Sequence, residues 1–283
     1  MSGSRVSLPD FFVPDGTPLS KALKRTTHLG VGAHPDDLEI LAIHGILECY
    51  RHPGRFFTGV VLTDGAGGPR NRKYSKLTKE AYVRIRQREQ KRAARLGRYG
   101  AILQLGFSSA GIKGSAHRHC LEQLKRILAE TRPGVIYTHS LADDHDTHAA
   151  AALLTIQALR KLRPHGWPKR FYGCEVWRSL DWLPRKQKAA LDAGARPALS
   201  ARLLGIFRSQ IAGGKRYDLA TLGRRMANAT FAESHDIDRT AQVTFAMDLR
   251  PLLRNPGLDP ARFVRDLAEE FGRGLVERVR RLR

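Results

Sequence analysis

The sequence has few cysteines and no long apolar run. Its three cysteines, Cys49, Cys120 and Cys174, are odd in number and far apart. This pattern argues against a disulfide framework and a cysteine-rich zinc site, and it favours a reducing compartment. No segment approaches the roughly 20 apolar residues that a membrane-spanning helix needs, and residues 1–16 lack the apolar centre of a secretory signal. We therefore expect a cytoplasmic protein.

Acidic residues are scarce relative to basic ones. Lysine and arginine total 49, whereas aspartate and glutamate total 27, which gives a net charge of +22. A surface of this sign attracts nucleic acid, anionic lipid headgroups and phosphorylated small molecules. The basic residues are spread along the whole chain without a basic tail, so we expect no specific nucleic-acid partner. Peripheral contact with anionic lipid stays open.

The apolar pattern indicates the fold class. The chain has 283 residues, of which 42% are hydrophobic and 27% are charged, as is typical of a globular protein with a substantial core. Short apolar runs alternate with helical patterns, and the predicted strands span 27–32, 56–63, 101–105, 134–138 and 170–177. This alternation predicts an α/β fold, with a Rossmann-like, mostly parallel sheet and helices on both faces.

The pattern also divides the chain into parts. We predict an irregular N-terminal arm at 1–26, an α/β catalytic core at 27–180, and a mainly helical C-terminal part of the same domain at 181–283. In the last part the periodicity weakens, and we predict helices at 186–193, 219–229 and 261–281.

Two polar clusters follow predicted strands, where α/β sheets bind their ligands. His34, Asp36 and Asp37 lie at the turn after the first strand, and His145 and His148 lie after the fourth. Histidines three residues apart share one face of a helix. Two histidines and one carboxylate, with a position left for water, form a hydrolytic zinc arrangement. On the residues alone, His34, either aspartate and either later histidine suffice, which leaves the other carboxylate and histidine for acid–base chemistry.

Each cluster also has a simpler explanation. Adjacent carboxylates at the start of a helix complement its dipole, and Asp146 or Thr147 fits a helix N-cap. We expect His139, six residues before His145, to be structural rather than a metal ligand. Because both clusters follow strands of the same predicted sheet, together they favour a metal site.

Several motifs resemble the PIG-L (LmbE-like) family of metal-dependent N-acetylglucosaminyl deacetylases. The two specific ones are AHPDD at 33–37 and HDTHA at 145–149. Supporting matches are VVLTDGAGG, RIRQREQKRAARLG, LGF, RPGVIYTH and YGCEVW, so the resemblance spans roughly residues 27–180. It implies an LmbE-like fold and hydrolysis of an N-acetyl amide.

The resemblance also implies a role for each motif residue. His34, Asp37 and His148 correspond to the metal ligands, Asp36 to the general base and His145 to the cation that stabilises the oxyanion. The expected metal is Zn²⁺, although Fe²⁺ or another divalent ion suits similar ligands. Arg88, on the helix that resembles the family's Arg-Glu helix, is a candidate for substrate binding.

One position departs from the family pattern. Where the family reads His-Pro-Asp-His, this chain has His145-Asp-Thr147-His148, so the aspartate that orients the catalytic histidine is missing. Either Asp143, Asp144 or Asp146 takes over that task, or His145 is less strongly held as a cation.

Three functional hypotheses result. The first is a zinc-dependent deacetylase that removes an N-acetyl group from an amino sugar or glycoconjugate through a metal-activated water. The second keeps this chemistry and moves it to the membrane surface, with a lipid-linked amino sugar as substrate. The third is a basic binding protein without catalysis, which the complete metal triad disfavours.

Overall fold

A computed structural model describes residues 9–71, 74–162, 167–233 and 235–283. In these residues, eight strands form one sheet in the order β1-β4-β3-β2-β5-β6-β8-β7. The strands are β1 (Asp10–Phe12), β2 (His28–Gly32), β3 (Phe57–Thr63), β4 (Ala101–Phe107), β5 (Val135–His139), β6 (Arg170–Cys174), β7 (Lys188–Asp192) and β8 (Val243–Asp248). The five strands from β4 to β6 are mutually parallel, whereas β1, β7 and β8 pair antiparallel.

Helices flank both faces of this sheet. They are α1 (Leu19–Lys24), α2 (Asp37–Leu41), α3 (Ile43–Cys49), α4 (Lys79–Leu96), α5 (Ser109–Lys113), α6 (His117–Thr131), α7 (Asp146–Leu162), α8 (Pro197–Leu204), α9 (Arg208–Ile211), α10 (Tyr217–Thr230), α11 (Pro251–Arg254) and α12 (Pro260–Arg281). The mostly parallel sheet with helices on both faces confirms the predicted fold class.

The core consists of two hydrophobic clusters, one on each face of the sheet. Successive strand residues alternate between them: Leu103 lies in one cluster and Ile102 in the other, and Ile136 and Tyr137 divide in the same way. Because side chains alternate across a strand, a strand covered on both faces becomes a continuous apolar run. This burial explains why the central strands are recognisable in the sequence.

Close packing of α2 on the sheet positions the turn that follows β2. A side chain at Gly59 in β3 would place its Cβ 2.6 Å from Leu38 and 2.7 Å from Ile102. At Gly30 in β2 the Cβ would lie 2.9 Å from Phe57. The two glycines let Leu38 of α2 approach the strand backbones, so the start of this helix is fixed at the carboxyl end of β2.

Two sequence predictions need correction here. The segment 1–26 is not irregular throughout, because β1 pairs with β4 and α1 packs on the core; residues 1–8 lie outside the described part of the chain. The helix predicted at 186–193 is the strand β7, whose register with β8 places Ala189 opposite Ala246. The division into a catalytic core and a C-terminal part of the same domain stays a prediction.

Candidate metal centre and catalytic cavity

The turn between β2 and α2 has a constrained backbone. Asp36 precedes α2 with φ of 97°, in the left-handed region that residues other than glycine rarely adopt. The Asp36 N–H donates to Gln90 Oε1 at 3.0 Å. Arg86, also on α4, donates from Nη2 to the Pro35 carbonyl at 2.5 Å and from Nη1 to the Gly65 carbonyl at 2.9 Å. Such strain persists where surrounding contacts hold it, which is common at functional sites.

Asp37 lies at the centre of the polar cluster. Its carboxylate is buried, and Oδ2 accepts a hydrogen bond from the His34 N–H at 2.6 Å. The His34 Nδ1 lies 3.4 Å from Oδ2, and the His148 Nε2 lies 3.5 Å from Oδ1. These two imidazole nitrogens are 3.2 Å from each other. The structure therefore brings together the three residues that the sequence predicts as metal ligands.

These separations fit a tetrahedral metal ion. Metal–ligand bonds of 2.0–2.2 Å place neighbouring donors about 3.3–3.6 Å apart. His34 Nδ1 and His148 Nε2 are 3.2 Å apart, and they lie 3.4 Å from Asp37 Oδ2 and 3.5 Å from Asp37 Oδ1 respectively, so each histidine approaches a different oxygen of the carboxylate. His148 also belongs to two sets of three donors within 4.8 Å of one another, one with His34 and His145 and one with Asp37 and His139. The donor set suits a divalent transition metal.

Asp143 contacts His148 on the side of the ring that faces away from Asp37. Its Oδ2 lies 3.2 Å from His148 Nδ1 and accepts a hydrogen bond from the Val176 N–H at 2.7 Å. A carboxylate behind a ligand histidine is the usual way to orient a metal-binding ring. Burial opposes protonation of His148, but the carboxylates of Asp37 and Asp143 raise its pKa above the ordinary value. Of the three acidic candidates that the sequence leaves open, Asp144 and Asp146 are exposed.

His139 is fully buried beside the candidate ligands. Its ring stacks on that of His148 with centroids 4.0 Å apart. The Nε2 accepts a hydrogen bond from the Ala33 N–H at 3.0 Å and lies 3.1 Å from Asp37 Oδ2. Burial lowers the pKa of His139 to about 4. A nitrogen that already accepts a backbone hydrogen bond has no lone pair left for a metal, so this contact supports the predicted structural role.

His145 faces an open cavity and differs from the sequence expectation. Its Nδ1 accepts a hydrogen bond from the Thr147 N–H at 3.2 Å, so the proton of the neutral ring is on Nε2. Burial is the main cause that lowers the pKa of His145, and the nearby His148 and His34 lower it further. Asp143 contacts the His145 backbone N–H, at 3.3 Å, and not the ring. The geometry supports a neutral donor rather than the expected cation.

The cavity beside the cluster has a volume of about 530 Å³. Aromatic, cationic and amide side chains line it beyond the metal cluster, among them Arg86, Lys113, Trp177, Gln210, Lys215 and Tyr217. Trp177 stacks on His145 with ring centroids 6.4 Å apart, and Lys215 Nζ lies 5.3 Å from the Trp177 ring centre. The sequence predictions missed these lining residues, which come from loops and helices far apart in the chain.

Asp36 lies next to the candidate ligands without being one of them. Arg86 Nη2 donates to its Oδ2 at 3.1 Å. Burial raises the pKa of Asp36 to about 7, with a further contribution from Asp37 and an opposing one from Arg86. A buried carboxyl group with such a pKa suits proton transfer near neutrality.

Arg88 does not reach the cavity, in contrast to its predicted substrate contact. It is exposed, whereas Arg86, two positions earlier on α4, is buried and lines the cavity. Residues two apart on a helix point about 200° away from each other, so one arginine faces the site and the other faces solvent.

Fold and site together define an α/β protein with a candidate hydrolytic metal centre at the carboxyl ends of its strands. Residues 29–159 match the family model of PIG-L, described as GlcNAc-PI de-N-acetylase. This match confirms the family resemblance that the sequence motifs predicted. A search of curated proteins found no match.

Solved structures of the same fold have different activities. The conserved protein TT1542 from Thermus thermophilus is 19% identical and has a TM-score of 0.61, with 83% of this chain and 99% of that chain covered. GalB, a 4-carboxy-2-hydroxymuconate hydratase from Pseudomonas putida, is 17% identical and has a TM-score of 0.61, with 79% of this chain and 96% of that chain covered. An N,N'-diacetylchitobiose deacetylase from Pyrococcus horikoshii is 16% identical and has a TM-score of 0.62, with 81% of this chain and 86% of that chain covered. Because a hydratase shares the fold, function has to be argued from the site.

Proposed function

We propose that the protein is a metal-dependent N-deacetylase that hydrolyses the acetamide of an amino sugar or glycoconjugate. The observation that carries the proposal is the arrangement of His34, Asp37 and His148, in which the two imidazole nitrogens are 3.2 Å apart and each lies within 3.5 Å of one oxygen of the Asp37 carboxylate, with Asp36 beside them. When bound, a divalent ion supplies a water of lowered pKa and polarises a carbonyl. Zn²⁺ is the expected ion, with Fe²⁺ as the alternative.

Asp36 acts as the general base in this proposal. It removes a proton from the attacking water and returns it to the nitrogen of the leaving amine, a role that contributes about 10²–10⁴ in rate. Arg86 Nη2 donates a hydrogen bond to Asp36 Oδ2 at 3.1 Å and so orients the carboxylate. The products are acetate and a free amino group.

His145 stabilises the developing oxyanion. Because its Nδ1 accepts the Thr147 N–H, the Nε2–H is the group available to donate to the carbonyl oxygen. One such donor contributes about 10²–10³ in rate. This assignment keeps the family position of the residue and replaces the expected imidazolium with a neutral imidazole.

The cavity supports a sugar-sized substrate. Its volume of about 530 Å³ lies in the usual range for small-ligand sites, and Trp177 offers an apolar ring face beside the cluster. Among the described residues no helix is both long and apolar enough to cross a membrane. The net charge of +22 supports the second hypothesis, in which the same chemistry acts on a lipid-linked amino sugar at an anionic membrane surface.

Acetate release by the Asp36→Asn variant tests the proposal. The isolated protein is first analysed for zinc, iron, cobalt and manganese, and it is then assayed against a panel of N-acetylated amino sugars and glycoconjugates. We expect one divalent ion per chain, and a loss of about 10²–10⁴ in rate for Asp36→Asn with metal content unchanged. The exposed Asp181→Asn serves as the matched control. Full turnover by Asp36→Asn would overturn the assignment of the base.

A further inference from the structure

A second cavity lies at the opposite edge of the sheet from the metal cluster. Arg25, Phe56 and Tyr99, which line it, come shortly before β2, β3 and β4 respectively. These strands are parallel, so their amino ends meet at one edge, whereas His34 and its neighbours follow the carboxyl end of β2. The seven residues of β3 separate the edges by about 20 Å at a rise of about 3.3 Å per residue. The cavity is therefore separate from the proposed catalytic site.

This cavity has an apolar, buried floor and a basic rim. It has a volume of about 400 Å³, and Cys49 and Tyr99, which are 4% and 2% exposed, belong to the floor. Five arginines line it: Arg25, Arg51, Arg55, Arg95 and Arg98. Asp15 is the acidic residue among the lining side chains. The cavity consequently concentrates positive charge over a concave surface, which attracts anions.

Most of this positive charge has no acidic partner. Arg25 pairs with Asp15 at 2.5 Å, and Arg55 pairs with Glu48. Within the part of the chain that the structure describes, Arg51, Arg95 and Arg98 have no carboxylate within 4.0 Å. On the surface elsewhere, many arginines are paired, for example Arg216 with Asp218 and Arg250 with Asp248. Three free guanidinium groups around one depression represent charge that an external anion can neutralise.

Local contacts hold several of these side chains in place. The Arg25 guanidinium lies 4.3 Å from the centre of the Phe56 ring, and that of Arg95 lies 4.8 Å from the Phe12 ring. Cation–π contacts of this kind restrain an arginine without neutralising it. Arg51 and Arg98 have left-handed backbones, with φ of 58° and 52°. Residues other than glycine and asparagine rarely adopt this conformation, so both arginines have uncommon backbone geometry.

We propose that this cavity is a binding site for a phosphate-bearing anion, such as a pyrophosphate group. Guanidinium groups bind phosphate oxygens with paired hydrogen bonds, and several convergent arginines favour a multiply charged phosphate over a single carboxylate. The volume of about 400 Å³ fits a compact headgroup or a small phosphorylated molecule. A free phosphorylated compound and a lipid headgroup share this chemistry.

Calorimetric titration with inorganic pyrophosphate tests the proposal. We expect the double variant Arg51→Ala/Arg98→Ala to bind pyrophosphate at least about tenfold more weakly than the unmodified protein. The control variant Arg280→Ala/Arg281→Ala removes the same charge from α12, outside the cavity, and should change affinity less than about twofold. Because all three proteins keep the same metal cluster, any binding of pyrophosphate to a metal ion cancels in the comparison.

Two further measurements keep the test decisive. If the double variant does not fold, Arg95→Ala replaces it, with an expected loss of affinity of at least about threefold; Arg95 is exposed on α4 and its backbone is helical rather than left-handed. In a second arm, vesicles with and without phosphatidic acid are sedimented with each protein. If only the cavity variant loses affinity for pyrophosphate, the ligand is a free phosphorylated compound. If only the cavity variant loses binding to vesicles with phosphatidic acid, and its affinity for pyrophosphate is unchanged, the ligand is a lipid headgroup. Equal weakening by cavity and control variants, or no weakening in either arm, would overturn the proposal.

Discussion

The two edges of the central strands present opposite kinds of polar surface. At the carboxyl ends, Asp37, His139 and His148 are buried, and the Asp37 carboxylate lies 3.1 Å from His139 and 3.5 Å from His148. At the amino ends, Arg95 and Arg98 are exposed at the rim of a cavity and have no carboxylate within 4.0 Å in the described residues. Buried polar groups need hydrogen-bond or ionic partners within the protein, whereas exposed charges are solvated by water and need none. The first edge therefore holds its polar groups in mutual contact, whereas the second carries charge that no carboxylate within the described residues neutralises.

The largest effect is expected from removing the charge at the centre of the carboxyl edge. Asp37→Asn keeps the side-chain shape but replaces an anionic ligand with a weak neutral one, so we expect bound metal to fall below about a tenth of an equivalent and acetate release to be lost. Metal analysis of the purified variant checks this. Asp144→Asn, an exposed carboxylate, is the control. Retention of a full metal equivalent by Asp37→Asn would mean that the ligands lie elsewhere.

A smaller effect is expected at the cavity side of the cluster. His145→Ala removes the Nε2–H donor, so kcat for acetate release should fall by about 10²–10³ while the metal stays bound. Steady-state kinetics and metal content are measured together. His119→Ala, which alters an exposed histidine on α6, should leave both unchanged. A fall in metal content comparable with that in rate would indicate that His145 is a ligand instead of a donor.

A still smaller effect is expected from Asp143, which contacts the candidate ligand His148. Asp143→Asn weakens the contact to His148 Nδ1 at 3.2 Å, so metal affinity should fall by about 10–100-fold. Competition with a chelating dye measures this affinity, and excess metal should restore much of the activity. Asp146→Asn, at the exposed start of α7, should stay close to the unmodified protein. An unchanged affinity for Asp143→Asn would restrict Asp143 to holding the backbone N–H groups of His145 and Val176.

The smallest change tests the packing between the two edges. Gly59→Ala would place a methyl group 2.6 Å from Leu38 and 2.7 Å from Ile102, so the free energy of unfolding should fall by about 1–3 kcal/mol. Thermal or denaturant unfolding measures it. Gly272→Ala on α12, where no atom lies within 4 Å of the added carbon, should leave stability equal or raise it slightly. Equal stability of the two variants would show that α2 is not held by this contact.

The sequence predicts the buried centre of the fold better than its periphery. The runs around β2, β3 and β5 are apolar because both faces are covered, and they end at polar clusters. The strands β7 and β8 pair antiparallel with Ala190 opposite Phe245. That contact joins residues more than fifty positions apart, and the short Ala-rich pattern of β7 does not distinguish a strand from a helix.

The same limit applies within the candidate site. The motif residues His34, Asp37 and His148 are predicted correctly to lie together, since the ends of parallel strands share one edge. Choosing Arg86 rather than Arg88 requires knowing which face of α4 packs on the sheet. The role of Asp143 depends on the course of the loop after β5, which brings its carboxylate behind His148. Periodicity and spacing carry neither piece of information.

The proposed function depends most directly on a metal ion shared by residues from two distant loops. Anomalous diffraction at the absorption edges of zinc and iron, from crystals of the unmodified protein, measures both the identity and the position of the ion. We expect one peak about 2.0–2.2 Å from His34 Nδ1, an Asp37 carboxylate oxygen and His148 Nε2. A peak ligated by other residues, or no peak in a protein that releases acetate at full rate, would contradict the account.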